Sequence, residues 1–386
     1  MRKVIHYKDG PYLTVTETWI YEQIINLKRF IPIVYARTTE NLDIYPTEAI
    51  RSLEISKESR NFTSFFNKGI NTLFNFYPGF IFPLLKDKPS LIHAHFGPSG
   101  YNFLFYKCLF RLPMITTFYG YDMSQLPAQN SRWVKRYAKL FKYGNCFIVE
   151  GRNMKKSLIK LGCPEEKIII NHICVDLEKI KFIPRGANTD DLIKILIASG
   201  FREKKGIPYA IEAFRRVKES HPELNLELTI IGDSDGRSVE EEEKKKIIDL
   251  INKYNLKSHV RLLGYMPHNM LLEEAGKHHI FISPSISASD GENEGGAPVA
   301  IIEMSASGMP ILSTHHCDIP EVVIDGKSGF LVNERDTDNL AKKLEFLILN
   351  PKKWKAMGEY GRNHIEASYD IKKQVNKLEE IYDRFL

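Results

Sequence analysis

Short runs of β-branched and other apolar residues alternate with helix-like patterns along the whole chain, and no other feature narrows the fold as much. The first half contains six such runs: KVIHY, IPIVYA, SLIHAHF, MITTFY, CFIVE and KIIINHI. The second half contains six more: IKILIAS, LELTIIG, VRLLG, IFISPS, PILST and GFLV. Strands that alternate with helices form βαβ units, whose parallel sheets carry helices on both faces. The sequence therefore predicts an α/β fold with doubly wound parallel sheets.

The length of the chain favours two such sheets. One hydrophobic core rarely grows beyond about 250 to 300 residues, and this chain has 386. Residues 176–191, DLEKIKFIPRGANTDD, form a polar link between the two sets of strands, and we predict the domain boundary there. Because open parallel sheets bind ligands at the carboxyl ends of their strands, a central cleft faced by both domains is the expected ligand site.

Composition excludes several classes of protein. No run reaches the roughly 18 uncharged apolar residues that cross a bilayer, and the N-terminus MRKVIHYKDG does not lead into the apolar core of a signal peptide. The five cysteines are scattered without a C-x-x-C pair, which fits neither a disulfide framework nor a thiolate metal site. We therefore expect a cytoplasmic protein. The first 190 residues hold 27 Lys+Arg against 16 Asp+Glu, which predicts a basic surface on the first domain.

A cluster of cations follows the first strand of the second half. Arg202, Lys204 and Lys205 precede Gly206 and an amphipathic helix. Cations beside a helix N-terminus form an anion site, because backbone N–H groups and the helix dipole add to the side-chain charge. A solvated basic turn is the alternative interpretation, and this loop alone does not decide between them.

Two further strands end in unusual loops. Gly232 directly follows the strand TII. A ligand-binding loop and a plain turn are both open interpretations of this position. Tyr265 and Met266 follow VRLLG and precede the proline of the next turn. Such a loop could close over a flat ring.

The stretch NEGGAPVAIIE follows the strand IFISPS. Pro298 suits the first position of a helix, and Gly295 and Gly296 can adopt backbone angles that other residues avoid. The exposed N–H groups at the start of this helix would suit a phosphate. Glu294 and Glu303 suit an anion poorly, but they can accept hydrogen bonds from sugar hydroxyls.

Two other interpretations of these acids fit less well. DGENEGG resembles the start of a calcium loop, but the twelfth position from Asp290 is Ile301 instead of a bidentate Glu. A pair of carboxylates could also hydrolyse glycosides. That reaction would leave the neighbouring phosphate-type loops unexplained.

In order and spacing, these pieces resemble the retaining, nucleotide-sugar-dependent glycosyltransferases of family 4, which have the GT-B fold. The resemblance covers nearly the whole chain and is nearest to enzymes that make bacterial exopolysaccharides such as colanic acid or amylovoran. It rests on EGGAPVAIIE, EKKGIPYAIEAF, TIIGD, HVRLLGYMP, DIPEVVIDGKSGFLV, TETWIYEQI, HAHFG and TTFYGYD. It implies two Rossmann-like domains, with residues 1–178 on the acceptor side and residues 179–370 binding the nucleotide sugar. A C-terminal helix at about 371–386 would cross back to the first domain.

The resemblance also implies roles for matching positions on the donor side. Glu303 would bind the ribose hydroxyls, Glu294 the donor sugar and Lys205 the leaving diphosphate. The other predicted donor-binding residues are Arg202, Gly232, Tyr265, Met266, Gly295, Gly296 and Ala297. The expected donor is a UDP- or GDP-linked sugar, and neither a metal nor a further cofactor is expected.

The resemblance implies that Asp122 and a loop of Thr16, Glu17 and Thr18 line the acceptor side. Tyr119 occupies a position where many family members have a histidine near the donor sugar. The acceptor would be a saccharide or a lipid-linked saccharide. The predicted catalytic residues are Glu294, Lys205, Asp122 and Tyr119.

The sequence departs from the family in two donor loops. Glu294 and Glu303 are nine positions apart, one more than is usual. Since Pro298 keeps the usual distance from Glu303, the extra residue falls on the Glu294 side. Gly200 stands where the family has an arginine, and Arg202 is the candidate to replace it.

Two groups of histidines need separate interpretation. His315, His316 and Cys317 lie in HHCDIPE, where the family commonly has glycines, but adjacent side chains diverge and cannot easily share one metal ion. His93 and His95 lie two apart on a predicted strand and so share a face. A structural and a catalytic role are both open for this second pair.

Residues 131–144 predict a basic amphipathic helix. Such a helix can lie on anionic lipid, or it can pack one face on the sheet as an ordinary helix. Residues 65–85 are rich in aromatics and would add an apolar lip. Peripheral binding to the inner face of the cell membrane is therefore a further expectation. The apolar positions are Val134, Tyr137, Leu140 and Phe141, and the cations are Arg132, Lys135, Arg136, Lys139 and Lys142.

Rival functions find less support in the sequence. A nicotinamide-dependent oxidoreductase or an ATPase would need a G-x-G-x-x-G or G-x-x-x-x-G-K-[ST] motif, and neither occurs. Nucleic-acid binding finds no recognised module. A GT-B nucleotide-sugar epimerase and a non-catalytic GT-B scaffold remain the alternatives.

Overall fold

The computed structural model describes residues 1–14, 17–54, 62–187 and 191–386. The chain divides into two compact units. Unit 1 comprises Met1–Cys174 and Ile371–Leu386, and unit 2 comprises Val175–Asp370. Among the described residues, no helix is both long and apolar enough to cross a lipid bilayer.

In its described residues, unit 1 has one parallel sheet of seven strands. The strands are β1 (Arg2–Pro11), β2 (Phe30–Thr38), β3 (Ile50–Ser52), β4 (Leu91–His95), β5 (Met114–Thr117), β6 (Cys146–Val149) and β7 (Ile168–Ile170). Their spatial order is β3-β2-β1-β4-β5-β6-β7, so the chain reverses direction across the sheet between β1 and β4. This is the doubly wound order, which places ligands at the carboxyl ends of the strands beside the reversal.

The described part of unit 2 repeats this plan with six strands in the order β10-β9-β8-β11-β12-β13. They are β8 (Ile193–Ala198), β9 (Leu226–Ile231), β10 (Val260–Leu262), β11 (Ile280–Ser283), β12 (Ile311–Thr314) and β13 (Gly329–Val332). The reversal lies between β8 and β11, so the loops that follow these two strands lie side by side.

Helices cover the sheets. In chain order they are α1 (Thr18–Ile25), α2 (Phe62–Phe74), α3 (Ile81–Asp87), α4 (Gly97–Phe110), α5 (Gln125–Gln129), α6 (Arg132–Tyr143), α7 (Arg152–Lys160), α8 (Ile207–Ser220), α9 (Ser238–Lys253), α10 (His268–Ala275), α11 (Val299–Ala306), α12 (Ile319–Val322), α13 (Thr337–Leu349), α14 (Trp354–Ser368) and α15 (Ile371–Asp383). In unit 2, Ile195 and Ile197 of β8 are buried in one core with Ile211 and Phe214 of α8 and Leu344 of α13. Helices on both faces explain why the strand sequences are almost continuously apolar.

The last helix, α15, belongs to unit 1, as predicted for a C-terminal helix that returns to the first domain. Leu378 and Tyr382 are fully buried against the sheet. Glu379 is also buried, and its carboxylate accepts hydrogen bonds from the backbone N–H groups of Lys28 at 2.7 Å and Arg29 at 2.6 Å. A buried charge is tolerated when hydrogen bonds satisfy it in this way.

The predicted secondary structure agrees with the structure in most places. Each of the twelve apolar runs contains a strand, whereas β3 was not predicted. In α6, Tyr137, Leu140 and Phe141 are buried in the core of unit 1, and Val134 is exposed. The apolar face of α6 therefore packs on the protein, as the alternative interpretation of this helix proposed.

Candidate functional site

The cation loop of unit 2 lies between β8 and α8. A 3-10 turn over Glu203–Lys205 leads into Gly206, which has a φ of 63°. A Cβ atom on Gly206 would lie 2.0 Å from the carbonyl oxygen of Pro284. A glycine at this position lets the cation loop approach the loop that follows β11, which carries Glu294.

Lys205 and Glu294 meet where these two loops approach. The Lys205 ammonium lies 2.8 and 2.9 Å from the two carboxylate oxygens of Glu294. Lys204 lies 3.3 Å from the same carboxylate, and the Ser285 hydroxyl donates to it at 2.8 Å. The structure thus brings together two predicted residues that are 89 positions apart.

Glu294 is ionised in this arrangement. Its side chain is only 5% exposed, and burial alone would raise its pKa. Lys205 and Lys204, with the hydrogen bonds from Lys205 and Ser285, outweigh burial and hold the pKa well below its usual range. The carboxylate therefore stays a hydrogen-bond acceptor at neutral pH, with lone pairs available for hydroxyl groups.

The neighbouring acid, Glu292, pairs with the other cations of the loop. Its carboxylate contacts the Arg202 guanidinium and lies 3.2 Å from the Lys204 ammonium. Arg202 also lies 3.6 Å from Glu240 at the start of α9. Arg202 is thus close to the donor loops, and its replacement of the family arginine stays a prediction.

The glycine pair forms a tight turn before α11. The Gly295 N–H donates to the Asn293 side chain at 2.9 Å, and the Gly296 N–H donates to the Glu294 carbonyl at 3.0 Å. Both amides are therefore used inside the turn. Pro298 is the residue before the first helical position, which is Val299, one residue later than expected. The first amides of α11, next to Ala297, have no partner within the helix.

Glu303 lies one turn further along α11, and it is buried. Its carboxylate oxygen lies 2.7 Å from Nε2 of His268, the first residue of α10. The predicted base loop directly precedes α10, with Tyr265 60% exposed and Met266 partly buried. The predicted ribose and base contacts therefore lie next to each other.

Gly232 directly follows β9 in unit 2. Its φ is 135°, and a Cβ atom there would lie 1.9 Å from the Ser199 carbonyl oxygen. Its N–H donates to the Gly264 carbonyl at 2.8 Å, which ties the loops after β9 and β10 together. This contact explains the glycine without a ligand, so the binding role of Gly232 stays a prediction.

Three residues of this site were not predicted: Ser285, His268 and His316. Lys204 was part of the predicted cation cluster but was given no role of its own. The Lys204-Lys205 pair was visible in the sequence, but only one lysine matched the family motif. The HHC departure before α12 pointed to His316 without indicating its partner, which is the backbone N–H of Glu294 at 3.1 Å.

In unit 1, Asp122 lies in the loop after β5. It is fully buried, and its carboxylate accepts hydrogen bonds from the N–H groups of Gly97 at 2.7 Å and Tyr119 at 3.0 Å. Burial raises the pKa of Asp122 to about 6, although backbone hydrogen bonds oppose the shift. These contacts hold Tyr119 in place, and a catalytic role for Asp122 stays a prediction. Thr16 lies outside the described residues.

Tyr119 lines a narrow pocket at the carboxyl ends of β5, β6 and β7. Several buried polar atoms around this pocket have no hydrogen-bond partner in the described part of the chain. They are Nε1 of Trp19, Oε1 of Gln23 and both amide atoms of Asn171. Buried polar groups are nearly always paired, and this pocket has room for about one water molecule, so these atoms are suited to an ordered water.

Three buried histidines of unit 1 form the group most suited to a metal ion among the described residues. His6, His93 and His95 each offer a ring nitrogen within 4.8 Å of the others. Burial lowers the pKa of all three, so the rings are neutral. Nδ1 of His6 lies 3.0 Å from Nε2 of His95. Hydroxyl groups contact both ring nitrogens of His93 and Nδ1 of His95. Those hydroxyls belong to Tyr382, Thr117 and Tyr119. This network connects the sheet to α15, which favours a structural role for His93 and His95.

Two family models match the chain. The model described as glycosyl transferases group 1 matches residues 178–364, and that described as glycosyltransferase family 4 matches residues 38–190. Together they span most of both units.

Curated relatives agree with these models. A protein of Escherichia coli strain K12, named as the colanic acid biosynthesis glycosyltransferase WcaL, is 33% identical over 253 residues, which is 65% of this chain and 59% of that protein. The amylovoran biosynthesis glycosyltransferase AmsK of Erwinia amylovora is 34% identical over 250 residues, which is 64% of this chain and 58% of that protein. The chain thus matches less than two thirds of each relative's length.

Among solved structures, HepE of Anabaena in complex with UDP is similar over 100% of both chains, with a TM-score of 0.78 and 15% identity. This likeness and the two doubly wound sheets confirm the predicted GT-B fold. The fold and the two matching family models lead to one conclusion: the chain carries a glycosyltransferase family 4 domain and a glycosyl transferases group 1 domain.

Proposed function

We propose that the protein is a retaining glycosyltransferase that moves a sugar from a nucleotide-diphosphate sugar to a saccharide or lipid-linked saccharide in bacterial polysaccharide synthesis. The buried contact between Lys205 and Glu294, formed by two loops at the strand ends of unit 2, carries this proposal. The relatives named for colanic acid and amylovoran biosynthesis support the class of product. The solved complex of HepE with UDP supports a uridine donor.

The chemistry of the reaction requires such a cation. When the anomeric C–O bond of the donor breaks, negative charge develops on the departing diphosphate. A fixed ammonium and the free amides at the start of α11 stabilise that charge more in the transition state than in the ground state. We assign this task to Lys205, with Lys204 beside it, and no step requires a metal ion. Glu294 would accept hydrogen bonds from donor sugar hydroxyls and orient the ring.

The acceptor is proposed to bind unit 1 beside Tyr119. Tyr119 lies at the carboxyl ends of β5, β6 and β7, the edge at which doubly wound sheets bind their ligands. The side chain of Tyr119 is itself fixed by its hydrogen bond with His95 at 2.7 Å.

Nucleoside diphosphate binding gives the first test. A ligand that binds the native state alone stabilises it, so UDP or GDP at 100 times its dissociation constant should add about 2.7 kcal/mol and raise the melting temperature. We expect Glu303→Ala to reduce this thermal shift, because its carboxylate is assigned to the ribose. Differential scanning fluorimetry measures the shift, with Glu359→Ala on the exposed face of α14 as the control.

Transfer from UDP- and GDP-sugars to saccharide acceptors should accompany that binding. A chain that bound neither nucleotide would contradict the transferase proposal. Binding without release of nucleoside diphosphate would indicate a scaffold, and isomerisation of the donor sugar would indicate an epimerase.

A lipid-linked acceptor would place the enzyme at an anionic membrane surface. We propose that unit 1 provides the contact through exposed apolar side chains of α2 and α3, together with the basic outer face of α6. The apolar side chains are Phe65, Phe66, Leu73, Phe74, Phe82 and Leu85. Exposed aromatic groups beside cations are typical of helices that lie in the lipid headgroup region.

Liposome co-sedimentation tests this contact. We expect the protein to bind vesicles that contain anionic lipid, and changing Lys135, Arg136 and Lys139 together to Glu should abolish binding by reversing the local charge. The matched control makes an equal change of charge on unit 2, at the exposed residues Lys352, Lys353 and Lys355. Unchanged binding by the α6 variant, or absence of binding by the parent protein, would refute the membrane proposal.

A further inference from the structure

His316 lies immediately before α12, in the HHC segment that departs from the family pattern. It is 2% exposed, and both ring nitrogens have partners. The backbone N–H of Glu294 donates to Nε2 at 3.1 Å, and Nδ1 lies 2.7 Å from a carboxylate oxygen of Glu334. The histidine therefore connects the loop after β13 to the backbone of the residue assigned to the donor sugar.

Glu334 also contacts the loop after β11, which carries Glu294, at a second point. Its other carboxylate oxygen accepts a hydrogen bond from the backbone N–H of Ser287 at 2.8 Å. Burial would raise the pKa of Glu334, but the hydrogen bonds from His316 and Ser287 lower it below its ordinary value. The Glu334 carboxylate thus contacts the start of the loop after β11 directly, at Ser287. Its contact with Glu294 is indirect, through His316.

These contacts determine which nitrogen of His316 carries the proton. Nε2 accepts a hydrogen bond from an N–H group, so it must be unprotonated. The proton of the neutral ring is therefore on Nδ1, where it donates to Glu334. A second acceptor contact fits this tautomer, because the Cys317 thiol lies 3.2 Å from Nε2. Burial raises the pKa of that thiol to about 12, so it remains protonated.

The backbone beside His316 is also unusual. Cys317 has a φ of 48°, a left-handed conformation that is unfavourable for a residue with a side chain. Strained backbone of this kind persists where surrounding contacts determine it. The contacts of His316 on both sides provide that determination.

We propose that His316 and Glu334 are positioning residues that hold the Glu294 backbone, and so set the angle at which its carboxylate meets the donor sugar. This inference rests on the proposed function. The carboxylate of Glu294 is held by Lys205, and His316 holds the backbone N–H of the same residue. Loss of this contact is expected to impair recognition of the donor sugar. Binding of the ribose should change little, because it is assigned to Glu303 on α11.

The variant Glu334→Gln tests the pair most sharply. The new amide has one oxygen and one NH₂ group in place of two acceptor oxygens. If the NH₂ group faces His316, it donates to Nδ1 and moves the ring proton to Nε2, against the Glu294 N–H. If the oxygen faces His316, the NH₂ group opposes the Ser287 N–H. One of the two holding contacts is lost in either orientation.

We expect Glu334→Gln and His316→Ala to lower kcat/KM for the sugar nucleotide by about 10- to 100-fold, since misplacement of a reacting group by about 1 Å has effects of this size. The dissociation constant of UDP or GDP without the sugar should change less than about threefold. His315→Ala is the matched control, because this neighbouring histidine is exposed. It should leave both values unchanged.

The tautomer is measured separately by ¹⁵N NMR of labelled imidazole, which does not depend on activity. We expect Nδ1–H in the parent protein. Nε2–H there would overturn the inference, and so would equal losses of UDP affinity and sugar transfer in both variants, or no loss in either. A parent protein with the expected tautomer that binds neither UDP nor GDP would instead refute the proposed function, and with it the role of the pair in sugar recognition.

Discussion

Replacing Lys205 with alanine is expected to reduce the rate of sugar transfer by about 10²- to 10³-fold. Its ammonium lies in a largely buried site, where a fixed charge stabilises a developing anion far more than it would in water. Lys204 lies beside it but also pairs with Glu292 at 3.2 Å, so it cannot fully replace the missing cation. Steady-state kinetics with the sugar nucleotide that the parent uses would measure the loss in kcat.

Two controls accompany Lys205→Ala. Lys245→Ala removes an exposed lysine of α9 in the same unit and should leave kcat unchanged. Glu294→Gln removes the other half of the ion pair. It frees Lys205 and Lys204 from their shared carboxylate, so UDP affinity should be kept or increased while sugar transfer falls. Equal behaviour of Lys205→Ala and Glu294→Gln in UDP binding would contradict separate roles for the two residues.

The fold could be predicted because both faces of each sheet are covered. Strands buried on both sides require nearly continuous apolar residues, and this local signal marked twelve strands. The strand β3 was not predicted, because it lacks this signal. Ile50, Arg51 and Ser52 form a three-residue edge strand that is only partly buried, so its sequence did not need an apolar run.

The site could be predicted only where a residue belongs to a local motif. Lys205 precedes the glycine that its loop requires, and Glu303 keeps its distance from Pro298, so both positions could be identified from sequence. His268 and His316 could not, because their partners are 35 and 22 positions away and no periodic pattern connects them. Only the three-dimensional structure brings such pairs together.

The extra residue between Glu294 and Pro298 illustrates the same limit. Spacing alone placed the extra residue on the Glu294 side of Pro298 but did not indicate which cation each acid of this loop contacts. The structure places Glu294 against Lys205 and Glu292 against Arg202, so the longer loop supplies an acid to each. Directly after Glu294, the chain turns at Gly295, which has a φ of 73°.

Gly206→Ala is expected to affect both stability and donor binding. The left-handed φ of 63° would cost alanine about 1 to 2 kcal/mol, and its Cβ would lie 2.0 Å from the Pro284 carbonyl oxygen. Relief of that contact requires the backbone to move, for which overpacked sites lose about 1 to 3 kcal/mol more. The same movement would carry Lys205 away from Glu294. We therefore expect a total loss of about 2 to 5 kcal/mol in the free energy of unfolding and a weaker thermal shift with UDP.

Gly236→Ala separates the two causes, because Gly236 has a φ of 88° but nothing within 4 Å of an added Cβ. It should lose only the conformational part, about 1 to 2 kcal/mol, and should bind UDP as the parent does. Urea titration of the 386-residue chain compares the two variants. It is followed by fluorescence in a background in which Trp19 and Trp133 are changed to Phe, so that buried Trp354 reports on unit 2. Equal losses would mean that the approach to Pro284 does not constrain the cation loop. A larger loss for Gly206→Ala, accompanied by weaker UDP binding, would show that one close backbone contact both stabilises unit 2 and places its catalytic cation.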